Sequence, residues 1–367
     1  MTTDAAAKSN INPSLNPERR LDQIRREAEG HGRFEVVNKR PAGAPFPEAS
    51  PENGYYQTPL LKQPPWTWEI PLYFFVGGAA GAAAVVGAVA DYTGADRKLV
   101  RDARWIAVSG AVISSALLVS DLGRPERFLN MLRVFKPQSP MSIGVWTLVG
   151  FSSGSMAAAF AELLRDRYGA SLPVQILESV GNAASLAFGL PFSNYTGVLI
   201  GATAIPVWNR NAGNLPLHFG ASGLGAAIGL LELCGHRKNR ALQALGLAAA
   251  IVETLQGAHI ESRSKPFLDP LKRGPSGWVT RTGGALAGPI PMALRTGSLF
   301  ATKEQSRSLR RWASCCAIVG SLITRIAWVY AGHVSARDWR LPLESVGEER
   351  LGRRPGTAAR DRVDSAA

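Results

Sequence analysis

Residues 121–142, DLGRPERFLNMLRVFKPQSPMS, separate two long apolar runs of the chain. The first run ends at a carboxylate, Asp121. Four cations follow it within sixteen residues: Arg124, Arg127, Arg133 and Lys136. Prolines at positions 125, 137 and 140 stop helix from running through the segment. A plain solvent loop needs no such combination, so the segment is predicted to form a fixed polar floor under a pocket that opens into lipid.

The apolar runs around this segment are long enough to cross a bilayer, which takes about 20 residues of helix. The sequence predicts about eight spans, at roughly 69–90, 103–121, 142–164, 174–207, 215–234, 240–260, 282–300 and 311–333. The predicted fold is therefore an all-α integral membrane protein. Its eight transmembrane helices are expected to form two four-helix bundles, over residues 68–207 and 208–333.

Two of these spans are predicted to be irregular. At about 1.5 Å per residue the fourth would reach roughly 50 Å, so it must tilt, break near Gly189-Leu190-Pro191, or extend out of the bilayer. The seventh is interrupted by Gly288-Pro289-Ile290-Pro291. Small residues recur within the spans, as in residues 77–81 (GGAAG), and allow helices to approach closely in lipid.

Polar tails flank the spans on what we call the terminal face, the face on which both termini are expected to lie. Residues 1–67 are rich in proline, and we expect either a disordered leader or a clasp around a partner subunit. Residues 334–367 are predicted to be a disordered charged tail. Tryptophans at the predicted span ends suggest aromatic belts, with Trp66, Trp68, Trp146, Trp208, Trp278 and Trp328 near the terminal face and Trp105 and Trp312 near the opposite face.

The formal net charge of +13 does not indicate a nucleic-acid-binding protein, because no basic stripe interleaves with aromatic residues. The cations are instead dense in the short loops of the opposite face, for example at residues 97–101 and 237–240. By the positive-inside rule this favours a cytoplasmic opposite face and termini outside.

A first group of polar residues lies at the terminal face, where Glu69 opens the first span and Asp121 closes the second. Tyr73 is one turn deeper than Glu69 on the same helix face. Two carboxylates and a phenol near a cationic rim could exchange protons with a quinol at the membrane edge. The structural alternative is that Asp121 only pairs with Arg124 and caps the loop.

A second group lies deeper, and charges inside a membrane span need a partner or a use. Glu253 and Arg325 lie at equal depth, about 10 Å in, and are predicted to form a buried ion pair. Glu232 and Arg295 lie correspondingly near the opposite face. The pairs are interpreted either as a proton path or as ion pairs that hold the helices together.

Neither the cysteines nor the histidines predict a metal centre in this chain. Cys234, Cys315 and Cys316 have neither the spacing nor the surroundings of an iron–sulfur or zinc site, and we expect free thiols. A dihaem anchor needs paired histidines within facing spans. His218, His259 and His333 lie only at span ends, so haem is not expected.

Four stretches resemble the membrane subunit of the polysulfide reductase NrfD/PsrC family: DLGRPERFLNML at 121–132, KPQSPMSIGVW at 136–146, NYTGVL at 194–199 leading to PVW at 206–208, and WTWEIPLYFFVGG at 66–78. The resemblance covers roughly residues 55–333. It implies an eight-helix, haem-free anchor in the bacterial cytoplasmic membrane. Such an anchor exchanges electrons between the quinone pool, menaquinone or ubiquinone, and a ferredoxin-like iron–sulfur subunit that serves a molybdopterin oxidoreductase.

The resemblance also implies a quinone site in the first four-helix bundle, near the face that holds the iron–sulfur subunit. It carries over Asp121, Arg124 and Tyr195 as functional positions, to which our own reading adds Glu69 and Tyr73. Asp121 or Glu69 would relay protons. The cations expected to face the partner are Arg124, Arg127, Arg133 and Lys136. On this reading the chain is a binding and redox-coupling module, and not a complete enzyme.

Two other functions are compatible with the sequence. A secondary transporter is suggested by the possible helix breaks in spans four and seven, because discontinuous helices build substrate sites in such proteins. A conformationally driven ion-translocating subunit would instead use Glu253 and Arg325.

Overall fold

The computed structural model describes residues 61–121, 126, 128–338 and 340–342. Within these residues the fold is entirely helical, as predicted. The main helices are α1 (Glu69–Tyr92), α2 (Arg97–Asp121), α3 (Pro140–Tyr168), α4 (Leu172–Gly201), α5 (Leu215–Leu231), α6 (Arg240–Ser262), α7 (Gly274–Ala287), α8 (Pro289–Phe300) and α9 (Lys303–Arg337). Shorter elements are Phe128–Met131, Pro206–Asn209, Pro266–Leu268, Asp269–Lys272 and a π-helical turn at Glu232–His236.

Seven of the described helices are long and apolar enough to cross a membrane, so the chain is a multi-pass membrane protein of the all-α class. The predicted seventh span is not a continuous helix, because α7 ends at Ala287 and α8 begins at Pro289. A count of eight continuous spans is therefore not confirmed. The two short helices run alongside α9. Gly283 of α7 packs against the backbone of Thr324, and Ser298 of α8 accepts a hydrogen bond from Arg310.

Helix α1 is the centre of the structure and packs against α2, α4, α5 and α9, so it touches helices of both predicted bundles. Its glycines permit these contacts. A Cβ atom added at Gly81 would lie 2.7 Å from the carbonyl oxygen of Gly189 in α4, and one added at Gly78 would lie 3.2 Å from the Arg325 guanidinium. The small residues predicted to allow close approach thus lie where helices cross.

Helix α4 does not break at Pro191, contrary to one of the predicted outcomes for the long fourth span. Proline removes one backbone donor, and polar side chains bind to the backbone beside it. Ser193 Oγ and Asn194 Nδ2 each donate to the carbonyl oxygen of Leu190 at 2.8 Å. The helix ends at Gly201, and a separate short helix, Pro206–Asn209, follows.

Two of the tryptophans assigned to the terminal-face belt are core residues instead. Trp208 is completely buried, and its indole Nε1 donates to the carbonyl oxygen of Trp328 at 2.8 Å. Its ring stacks on Trp66 with centroids 5.1 Å apart. Trp68 and Trp278 are largely exposed, as headgroup-level residues should be. A belt assignment from sequence could not separate these cases because it counts depth along a helix, and not direction around it.

A charge network of buried and half-buried side chains joins the first four helices at the opposite face. Its charged members are three arginines and three carboxylates: Asp91, Arg97, Arg104, Glu162, Arg165 and Glu178. Arg104 is only 4% exposed, and its Nη1 atom donates to Glu178 Oε1 at 2.8 Å and also to Glu162. Because the charges balance and bond one another, the network fixes the relative positions of these helices.

The chain ends only partly follow the predicted boundaries. Helix α9 continues to Arg337, so residues 334–337 belong to a helix and not to a disordered tail. The rest of the N-terminal tail up to residue 60 and of the C-terminal tail from residue 343 lies outside the described residues.

Candidate functional site at the terminal face

The predicted carboxylate pair lies where α1 begins and α2 ends. Glu69 is the first residue of α1 and Asp121 the last residue of α2, and both are half-buried. Because α1 and α2 pack against each other in opposite directions, the two carboxylates lie at the same face. Glu69 also accepts a hydrogen bond from Thr67 Oγ1. Two neighbouring carboxylates at the mouth of a buried site can take up and release protons there.

Tyr73 lies one turn inside this mouth and is 3% exposed. Its ring packs against Phe74 and Phe192, with centroids 5.7 and 6.4 Å away, and Phe192 stacks on Phe151 at 4.7 Å. The rings form an aromatic wall that runs from α1 across α4 to α3.

Tyr195 is on the same face of α4 as Phe192, one turn away, and is 6% exposed. Its hydroxyl donates to the carbonyl oxygen of Pro140, the first residue of α3. Gly144 makes this position possible, because a Cβ atom there would lie 2.2 Å from the tyrosine ring. Tyr195 therefore connects α4 to the end of the segment 121–142.

Sequence reasoning missed a buried hydroxyl in this region. Ser114 of α2 is completely buried, and its Oγ has no hydrogen-bond partner in the described residues. A Cβ atom built on Gly77 would lie 3.4 Å from this Oγ and 3.0 Å from Phe192, so the serine adjoins the aromatic wall. The missed signal was a serine seven residues before Asp121 on α2, that is, two turns away on the same face.

The segment between α2 and α3 presents cations and apolar side chains together. Arg133 and Lys136 are exposed, as are Leu129 and Phe135. Ser139 accepts from the backbone N–H of Ser142 and caps α3. The other two predicted cations of this segment, Arg124 and Arg127, lie outside the described residues.

The deeper ion pair predicted between Glu232 and Arg295 is present. Both Nη atoms of Arg295 donate to the two carboxylate oxygens of Glu232 at 2.8 Å, and Ser314 Oγ donates at 2.5 Å. Glu232 is completely buried, and Arg295 is 4% exposed. The pair joins the end of α5 to α8 and α9, which supports its structural interpretation.

The predicted ion pair between Glu253 and Arg325 does not form. Arg325 donates to the carbonyl oxygen of Phe219 at 2.6 Å, and its guanidinium lies 3.8 Å above the Phe219 ring. Glu253 Oε1 lies instead 3.1 Å from Nδ1 of His218. The prediction matched the depth of the two residues correctly, but their directions around α6 and α9 differ.

All three cysteines are free thiols. In the described part of the chain, no three histidine, cysteine or acidic side chains come together as metal ligands.

Comparison with known families identifies the chain. The family model of polysulphide reductase NrfD matches residues 58–336, which confirms the resemblance seen in the sequence. Among curated proteins, no match was found. The family match spans α1 to α9 and includes both the aromatic wall and the segment 121–142. The chain is therefore a membrane protein of the polysulphide reductase NrfD family.

Proposed function

We propose that this chain is a membrane anchor subunit that binds quinone or quinol and exchanges electrons with an iron–sulfur subunit of a molybdopterin-type oxidoreductase. The observation that best supports this proposal is that two carboxylates, Glu69 and Asp121, lie at the mouth of a site walled by Tyr73 and Phe192. We place it in the bacterial cytoplasmic membrane with both termini outside.

The side chains around Tyr73 fit a quinone ring. The aromatic wall gives flat apolar surfaces against which a ring can pack. The Tyr73 hydroxyl and the Ser114 hydroxyl, which has no partner in the described residues, can donate hydrogen bonds to its oxygens. Ring contacts with one or two polar groups are the usual composition of a small-molecule site.

Quinone chemistry takes up electrons and protons together, and protons must therefore reach the site. Asp121 and Glu69 can hold these protons on their carboxylate oxygens, between the buried hydroxyls and the membrane surface. Tyr195 acts as a positioning residue, because its hydroxyl fixes the start of α3.

An iron–sulfur partner is expected to dock on the same face. The exposed cations Arg133 and Lys136, together with the exposed apolar side chains of Leu129 and Phe135, make a surface of the kind found in protein interfaces. A partner with an acidic rim would bring its nearest cluster towards the quinone site.

Replacing Asp121 by asparagine is expected to abolish quinone-linked turnover and to leave assembly intact. The amide keeps the size of the side chain but holds no proton at this position, and general acid–base catalysis is commonly worth about 10²–10⁴-fold. Asp166→Asn is the matched control, because Asp166 is a half-exposed carboxylate at the opposite face. Loss of the complex from membranes in Asp121→Asn alone would show that Asp121 is structural.

The partner surface is tested by a mild-detergent pull-down of the tagged chain. We expect iron, acid-labile sulfide and molybdenum or tungsten to copurify with it, and Arg133→Glu/Lys136→Glu to lose them. Lys303→Glu/Arg307→Glu, a double charge reversal of exposed residues at the opposite face, should retain them. A metal-free eluate from the wild-type chain would contradict the proposal and favour a transporter.

The transporter alternative is supported by one of its two predicted helix breaks. Helices α7 and α8 are interrupted at Gly288, whereas α4 runs through Pro191 without a break. Transporters of this type build their site from discontinuous helices in corresponding positions of the two halves. In the first half the fourth predicted span is interrupted only near its end, between Gly201 and Pro206, and not at Pro191. The two interruptions therefore do not lie in corresponding positions, which favours the anchor.

A further inference from the structure

A cavity, called the second cavity because it is separate from the proposed quinone site, lies between α5, α6, α7 and α9. It has a volume of about 330 Å³. Its floor is made by His218, Glu253 and Trp328, and its sides contain small residues, including Gly257 and Gly284. A Cβ atom at either glycine would meet nothing within 4 Å, so both glycines leave open space.

The floor of this cavity contains a carboxylate without a hydrogen bond. Glu253 is 2% exposed, and neither of its oxygens has a hydrogen-bond partner in the described residues; the same holds for Nδ1 of His218. The two groups lie 3.1 Å apart but are not aligned for a hydrogen bond. A buried polar group without a partner is costly, so a molecule that supplies a donor here would be bound favourably.

The helix break at Gly288 belongs to the same place. A Cβ atom on Gly288 would lie 2.8 Å from the backbone nitrogen of Thr254, the residue after Glu253, and Pro289 lines the cavity. The break thus allows the backbone of α7 and α8 to approach α6 directly beside the buried carboxylate. Irregular helix at membrane depth is tolerated where it is buried in protein or lines a cavity.

The entrance faces outward between α6 and α7. The exposed lining residues are Ala258 and Glu261 of α6, Arg281 of α7 and Pro289, the first residue of α8. Glu261 and Arg281 form an ion pair of 2.8 Å there, at the terminal-face end of α6 and about two turns inside α7. A ligand would therefore enter from the headgroup region of the bilayer, past a polar rim and into a mainly apolar interior.

We propose that this cavity is a second binding site for a hydroquinone, with Glu253 accepting a hydrogen bond from a ring hydroxyl. The volume suits a substituted six-membered ring, and the Trp328 and His218 rings, 5.9 Å apart, offer flat surfaces to it. Entry from the bilayer requires a lipid-soluble molecule, and the carboxylate requires one that donates. This inference rests on the proposed quinol chemistry of the chain, but not on the site at Tyr73.

The experiment uses a photoreactive azido-benzoquinone in its reduced form, added to membranes that contain the intact complex, followed by identification of the labelled peptides. We expect label at two places, near Tyr73 and Tyr195 and near His218 and Trp328. Gly284→Leu fills the second cavity with a side chain and should reduce labelling near His218 and Trp328 at least tenfold. Glu253→Gln should weaken it, since it replaces the carboxylate acceptor by an amide.

The matched control is Gly297→Leu, because Gly297 is an exposed glycine of α8 with open space around it and lies outside the cavity. Both leucine variants replace glycine in a helix, which favours folding, so loss of label cannot be assigned to general instability. Thermal unfolding of each variant with and without the reduced probe gives an independent readout, since a bound ligand raises Tm.

The outcomes separate the two sites. Label at α1 and α4 alone, or label at the cavity that Gly284→Leu does not remove, overturns the second site and leaves the proposed function standing. Label at the cavity alone keeps the second site and overturns the site at Tyr73. Absence of label at both places, with no Tm shift, overturns both.

Discussion

Arg295→Met is expected to remove most of the folded protein from the membrane. Glu232 is completely buried, and the substitution deprives its carboxylate of both guanidinium hydrogen bonds of 2.8 Å. Breaking a buried ion pair on one side costs about 3–5 kcal/mol, because the remaining charge is left uncompensated. The measurement is the yield of monodisperse protein after detergent extraction, together with its Tm.

A double variant tests whether the cost comes from the unpaired charge. Glu232→Gln/Arg295→Met removes both charges and keeps a partner for Ser314, so we expect it to recover most of the lost Tm. Arg307→Met, at an exposed position of α9, should behave as wild type. If the double variant is as unstable as Arg295→Met, the ion pair is not the source of the stability. The source is then the packing of Arg295 against Gly246.

Gly144→Ala is expected to reduce quinone-linked turnover by about 100-fold, the loss that a displacement of about 1 Å at a site can cause. The added methyl group would lie 2.2 Å from the Tyr195 ring, so the ring must leave its place and its hydroxyl must release the carbonyl oxygen of Pro140. Overpacking of this kind also costs about 1–3 kcal/mol. Turnover and Tm should be measured on the same membranes.

The second variant in this series separates folding from function. Tyr195→Leu removes the ring, so Gly144→Ala/Tyr195→Leu should recover Tm without recovering turnover. Gly213→Ala is the control, since a Cβ atom at Gly213 meets nothing within 4 Å. Full turnover in the Tyr195→Leu background would show that Tyr195 has no part in positioning the site.

The positions of most helices could be predicted from sequence because apolar runs have a length that the bilayer dictates. Helix ends could not. Helix α2 begins at Arg97 and α9 at Lys303, six and eight residues before the predicted spans, because these turns are polar and hydropathy windows stop short of them. The break at Gly288 was visible as a glycine-proline pair.

The site was only partly predictable for a different reason. Depth counting along each helix correctly placed Glu69 and Asp121 at one face and paired Glu232 with Arg295. Depth counting also predicted an ion pair between Glu253 and Arg325, whereas Glu253 lies beside His218 in the structure. The direction of a side chain around its helix depends on which helices are neighbours, and that information lies in tertiary packing.

The charge network has a consequence for how the chain enters the membrane. Arg104 lies about 10 Å inside α2, counted from its first residue. Two of its carboxylate partners, Glu162 and Glu178, are 58 and 74 residues further along the chain, whereas Asp91 precedes it. At about 5–20 residues per second, translation takes roughly 4–15 s to reach Glu178. Until Glu162 is made, Asp91 is the only carboxylate of the network in the nascent chain, so Arg104 gains its other two carboxylate partners only when α3 and α4 follow.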